Sequence, residues 1–253
     1  SQDYEFTTTA GEVTIEFDDT DKSINVILPE INYYITGNTD LVGGDGWKAN
    51  EIKMTETSGI YTYDFTNLAA DKLYLMKVTN GSWSENYGHD ALQNTDAKVE
   101  NYGGNIAFYL SAAGNVNVSF DLANKKITLT GSFAAIPAVR IHFVNTDGWE
   151  TVYAYAWDGE SKNADYPGED ITSQTDGKVN DFNVHYIEFK LGKYANVLFG
   201  CGTDECKTGD MTVADHVGKY YYSGLWYDSA IDIPTIPQYF ITGNSDLVGG
   251  DGW

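Results

Sequence analysis

The chain is 253 residues long and carries 37 acidic against 15 basic residues, a formal net charge of −22. So acidic a surface repels nucleic acid and anionic membranes, excludes both as partners, and suits a neutral ligand. No apolar run approaches transmembrane length, so membrane insertion is not expected, and 19 Tyr, 11 Phe, 6 Trp and 26 Gly mark a strand-rich chain with room for about two small domains.

In chain order, short alternating runs separated by Gly, Asn and Asp turns read as strands throughout. Val13-Thr14-Ile15-Glu16-Phe17 is the first of them. Residues 8–27 (TTAGEVTIEFDDTDKSINVI) line up with residues 111–130 (SAAGNVNVSFDLANKKITLT), so that Gly11 falls on Gly114, Phe17 on Phe120 and Lys22 on Lys125. The offset is 114 − 11 = 103 residues, the size of a domain. A second duplication agrees with it: TGNTDLVGGDGW ends at Trp47 and returns, with one Thr→Ser change, ending at Trp253. Residues 1–29 are therefore read as the last strands of one repeat and 31–132 as a complete repeat. Residues 138–229 form an unlike module, and 237–253 open the next repeat. Pro29, Pro137, Pro234 and Pro237 fall at the joints, where a residue unable to donate to a ladder does least harm. Remnants of two or three strands cannot bury a core, so the end segments are expected to dock on each other, on a neighbouring module or on another copy. One weak helix is expected around His89–Val99. The start, SQDYEF, is not a signal peptide, so a secretion signal would have been removed or left out.

Within 31–132, three features stand out: GDGW ending at Trp47, LMKV containing Lys77, and NGSWSENYG containing Trp83, Asn86 and Tyr87. A flat indole suits the face of a pyranose ring, and a lysine can donate to the hydroxyls at its edge. Tryptophan beside a tight turn can equally be a core lid. The spacing resembles the glycogen-binding modules, and more closely the β-sandwich modules that accompany pullulanases and Sus-type starch-binding proteins. By that resemblance Trp47, Lys77 and Trp83 would share one sugar, with Asn86 and Tyr87 as secondary contacts.

In the module 138–229, alternation puts Tyr153, Tyr155 and Trp157 on one face of a strand and Val152, Ala154 and Ala156 on the other. Either face can be the buried one. The order FVN..GW..VYAYAW, YPG, VLF.CG....KT.DMTV and GKYY tips the balance, because over about ninety residues it resembles family 26 of the carbohydrate-binding modules, which bind starch. That resemblance implies that Tyr153, Tyr155 and Tyr166 hold the glucan, with aromatics facing outward. Two departures matter: the aromatic before Pro-Gly is Tyr166 instead of the usual Trp, and an amide-rich loop is replaced by CGTDECKT, with Lys207 where a sugar-bonding glutamine is common. Cys201 and Cys206 flank this loop. A hairpin tip can bring them within bonding distance, so a local disulfide in an exported protein is expected ahead of two free thiols and, last, zinc, for which no ligand set exists.

The fold expected is all-β: two tandem immunoglobulin-like antiparallel β-sandwich modules with partial repeat strands at both ends. No motif places a catalytic carboxylate pair, nucleophile elbow, metal-binding helix or phosphate loop. The turn GNTDLVGGDG has oxygen ligands but not the spacing of a known calcium loop. The sequence thus predicts a protein that is not an enzyme and needs no cofactor or metal. Its expected partners are starch, amylopectin and maltooligosaccharides, in an extracellular or cell-surface bacterial setting beside neighbouring modules or amylases. The rival reading is a structural spacer or adhesin repeat without glucan affinity.

Overall fold

The computed structural model describes residues 13–27, 30–93 and 96–236. The terminal repeat 237–253, the segment before Val13 and Pro29 lie outside the described residues. The chain divides into two compact units, Ser1–Ala135 and Ile136–Trp253.

In the first unit, strands β1 (Thr14–Asp18) and β2 (Ser23–Ile27) form a hairpin. There follow β3 (Tyr34–Gly37), a single turn α1 (Thr39–Val42), β4 (Ile52–Lys53), β5 (Thr55–Thr57), β6 (Ile60–Leu68), β7 (Lys72–Thr79) and β8 (Asn86–Tyr87). The set closes with β9 (Glu100–Tyr102), β10 (Asn105–Leu110), β11 (Gly114–Asp121) and β12 (Lys126–Gly131). One antiparallel sheet runs β4-β3-β7-β10-β9, with β8 on β7, and the other β12-β11-β6-β5. Alternate residues of each sheet meet in one core: Ile35, Met76, Val78, Ile106 and Phe108 from the first, Phe65, Val116, Val118, Phe120 and Ile127 from the second. This is a β-sandwich, as period-two patterning requires.

Among the described residues of 89–99 the expected helix does not form. Its first residues make a 3₁₀ turn, His89–Ala91, after which Leu92 bridges Ile127 and the Gln93 amide donates to the Ile127 carbonyl at 2.8 Å. Pairing with the sheet edge outcompetes a helix too short to sustain itself. The hairpin β1–β2 differs from its counterpart β11–β12 in one respect. Among the described residues its strands pair only with each other, and Ile15, Phe17, Ile24 and Ile27 are exposed.

In the second unit, β13 (Ala138–Val144), β14 (Tyr153–Asp158), β15 (Ser161–Lys162), β16 (Glu169–Asp170), β17 (Thr175–Val179) and β18 (Phe182–Lys190) are followed by β19 (Asn196–Gly200), β20 (Met211–Thr212), β21 (Tyr220–Tyr222) and β22 (Leu225–Tyr227). The sheets are β17-β18-β13-β21-β22 and β15-β14-β19-β20, with β16 on β14. Ile141, Phe143 and Ile187 from one sheet pack on Ala154, Ala156, Val197 and Phe199 from the other. One pairing departs from the antiparallel expectation: β13 and β21 run parallel, through His142 with Tyr220 and Phe143 with Tyr221. The chain reaches β21 after leaving the opposite sheet, so a hairpin does not dictate its direction.

Candidate functional site

The second unit carries the more complete site. Val152, just before β14, and Ala154 and Ala156 within it are fully buried, which turns Tyr153, Tyr155 and Trp157 to the outer face, each half-buried. Small residues can approach the opposite sheet closely, so the core takes them and leaves the rings outside. Ring centroids of Tyr155 and Trp157 lie 5.1 Å apart at 24°, a stacked pair.

Tyr166 reaches the same place from a turn. The Asn163 side chain bridges the edge of β14, donating to the Ala154 carbonyl and accepting from the Ala156 amide, each at 2.9 Å. Gly168 follows at φ +106°, where a Cβ would lie 2.2 Å from the Ala154 carbonyl oxygen, so the turn demands glycine. The outcome sets the Tyr166 ring edge-on to Tyr155, centroids 5.8 Å apart at 78°, and 45% exposed. Its hydroxyl donates to Asp204 Oδ1 at 2.9 Å, and Lys207 Nζ donates to the same oxygen at 2.8 Å. The ammonium stands 5.7 Å from the Tyr166 ring centroid. The hydrogen bond to Asp204 pushes the Tyr166 phenol above its ordinary value. Bonds from Lys207 and Tyr166 in turn hold the Asp204 carboxyl below the usual carboxylate range.

Tyr153 sits apart from this group. Gly202 packs on its ring so tightly that a Cβ there would be 3.0 Å from Cε2. Gly202 belongs to the loop closed by a Cys201–Cys206 disulfide, Cα–Cα 5.6 Å. The structure thus assembles Tyr155, Tyr166 and Lys207 directly and leaves Tyr153 under the loop at their flank. It adds Trp157, which alternation alone had put on this face, and Asp204, for which the sequence gives no signal beyond being one of many turn acids.

In the first unit, Lys77 lies between core-facing Met76 and Val78 on β7 and pairs in register with Thr36 of β3. Its ammonium donates to Asn86 Oδ1 at 3.2 Å, and Asn86 Nδ2 donates to the Trp83 carbonyl at 3.3 Å. Trp83 is 47% exposed. Lys77, Asn86, Tyr87, Asp90 and Lys125 line a cavity of about 450 Å³. Trp47 is half-buried at φ +55°, its amide donating to the Gly37 carbonyl at 2.8 Å, one residue beyond Thr36. Tyr87 faces inward: its ring lies 4.8 Å from Phe120, its hydroxyl donates to Glu85, and burial foremost pushes it up to about 12. Lys77, Asn86 and Trp83 are therefore linked, Trp47 stands at the end of the neighbouring strand, and Tyr87 is mainly a core lid. Among the described residues no three His, Cys, Asp or Glu side chains gather as a metal site, and no helix is long and apolar enough to cross a membrane.

The chain matches no family model. It does resemble an amylase. An α-amylase of Butyrivibrio fibrisolvens is 30% identical to it over 95 residues, 37% of this chain but 8% of that protein. A stretch of that size is shorter than either unit here and a small fraction of the amylase.

Proposed function

We propose that the chain binds starch and maltooligosaccharides without catalysis, through aromatic platforms on its two units, as part of an extracellular starch-degrading system. The observation that carries this reading is the trio of Tyr155 and Trp157, outward on β14, and Tyr166, brought to them from a turn, with a lysine ammonium beside it. The outward rings of Tyr155 and Trp157, with Tyr166 edge-on to Tyr155, give a cluster of flat apolar surface on which a glucose ring can stack. Lys207 and the phenol hydroxyls supply edge contacts to sugar hydroxyls. The partial resemblance to an amylase supports starch as the polymer, and the short share of that amylase fits a non-catalytic role. The Cys201–Cys206 disulfide is in keeping with an oxidising compartment.

Each aromatic–sugar stack buries roughly 100 Å², worth about 2.5 kcal/mol gross. Two or three stacks with hydrogen bonds, less the cost of ordering the sugar, leave roughly 4–8 kcal/mol, a dissociation constant between about 1 mM and 1 μM. Two such sites on one chain raise the local concentration on a polymer.

Calorimetry with maltoheptaose tests the reading. The wild-type chain binds in that range, Tyr155→Ala and Trp83→Ala each weaken the site of their own unit roughly tenfold or more and leave the other unit's site intact, and soluble starch releases no reducing sugar. A chain that migrates through amylopectin gel unretarded is a spacer, and the proposal fails.

A further inference from the structure

We infer that the disulfide-closed loop Cys201–Cys206 is the positioning device of the second unit's aromatic site, with Asp204 as its positioning residue. The inference rests on the function proposed above and deepens it. Tyr166 lies outside every ladder, in a turn between β15 and β16. The turn brings the ring to Tyr155, and its phenol end is then held where one Asp204 oxygen accepts both from Tyr166 and from Lys207. Asp204 thus fixes two sugar-facing groups at once: the angle of the ring across Tyr155 and the position of the ammonium above it.

The loop that carries Asp204 is itself held at every turn. Gly200 bridges Lys207, the Cys201 amide donates to the Cys206 carbonyl at 2.9 Å, and the disulfide joins the same two residues. The Thr203 hydroxyl lies 3.3 Å from Cys206 Sγ. At the other side of the loop, Gly202 rests on the Tyr153 ring. A six-residue loop therefore touches the outermost member of the β14 row at one side and the turn aromatic at the other. Opening it would release Gly202 from Tyr153 and Asp204 from Tyr166 together. A ring oriented before the sugar arrives need not be ordered on binding, which amounts to roughly a 2- to 10-fold gain in affinity for one side chain.

The test uses the intact chain and two readouts. Maltoheptaose affinity is measured by calorimetry for wild type, Asp204→Asn, Asp204→Glu, Glu205→Gln and the double variant Cys201→Ser/Cys206→Ser. The Tyr166 phenol is titrated by NMR with ring-labelled tyrosine in the absence of sugar. Asp204→Asn and the double serine variant are expected to weaken binding about 2- to 10-fold and to let the Tyr166 titration fall toward that of an ordinary tyrosine. Asp204→Glu recovers part of both, and Glu205→Gln, which removes the same charge one residue away, changes neither. Wild-type affinity and an unmoved Tyr166 titration in Asp204→Asn would overturn the inference. If no variant, wild type included, binds maltoheptaose, the proposed function falls, and the Tyr166 titration still decides whether Asp204 positions the ring.

Discussion

Gly168 shows how much of the site hangs on single atoms. At φ +106°, with the Ala154 carbonyl 2.2 Å from where a Cβ would be, the turn admits no side chain without moving. Gly168→Ala should cost the second unit about 1–3 kcal/mol in denaturant unfolding and, by shifting Tyr166, weaken sugar binding as well. At the same scale, Tyr153 and Tyr155 are alike in sequence and unlike in place. Alternation sets both outward, but Gly202 covers part of one ring while Tyr155 is flanked by other aromatics. No period-two argument separates them, because the cover comes from a loop some fifty residues later. Tyr87 and Trp83 part for a similar reason: β8 pairs Tyr87 with Val78, a core position, whereas Trp83 precedes the strand and stays in solvent.

Elements repeat more faithfully than their surroundings do. Phe17 and Phe120 occupy the same position of the repeat, each in the first strand of a hairpin, opposite Ile24 and Ile127 respectively. Phe120 is fully buried against Tyr33, Tyr61 and Tyr87, and Phe17 is 59% exposed. The hairpin thus forms from its own alternation and turn, while burial of its apolar face depends on strands elsewhere. Phe120→Ala should destabilise the first unit by about 3–5 kcal/mol in urea unfolding. Phe17→Ala should change it by less than about 0.5 kcal/mol, and a large effect would mean that the hairpin is docked in solution.

For the molecule as a whole, the two units should answer acid differently. His142 and His185, both in the second unit, are 6% and 2% exposed, and burial foremost pushes each below the ordinary histidine value. Around His142 stand Tyr220, stacked at 4.2 Å, Tyr186, Asp176 and Arg140; Asp176 favours the charged ring and Arg140 opposes it. His185 Nδ1 lies 3.2 Å from the Ile171 carbonyl. A base with a lowered folded value binds its proton more weakly folded than unfolded. The stability it allows is therefore complete above the unfolded value of about 6.5 and declines as pH falls below it. Thermal unfolding from pH 8 to pH 5 should show the second unit's transition moving down below about pH 6.5, a shift that His142→Gln with His185→Gln reduces.

The repeat offset, the strand-rich class and the shared face of Tyr153, Tyr155 and Trp157 were legible in the chain, because each follows from a local period or spacing; which face of β14 turns outward was not, since alternation allows either and only the family resemblance favoured the aromatic one. Other features were settled only by folding: the parallel β13–β21 pair, the 3₁₀ turn and lone Leu92–Ile127 bridge where a helix was expected, the packing of Tyr87 on Phe120 and the meeting of Asp204 with Tyr166 and Lys207. These depend on contacts between segments distant in sequence. Periodicity tells a side chain which way to face; only tertiary packing supplies the neighbour it will meet there.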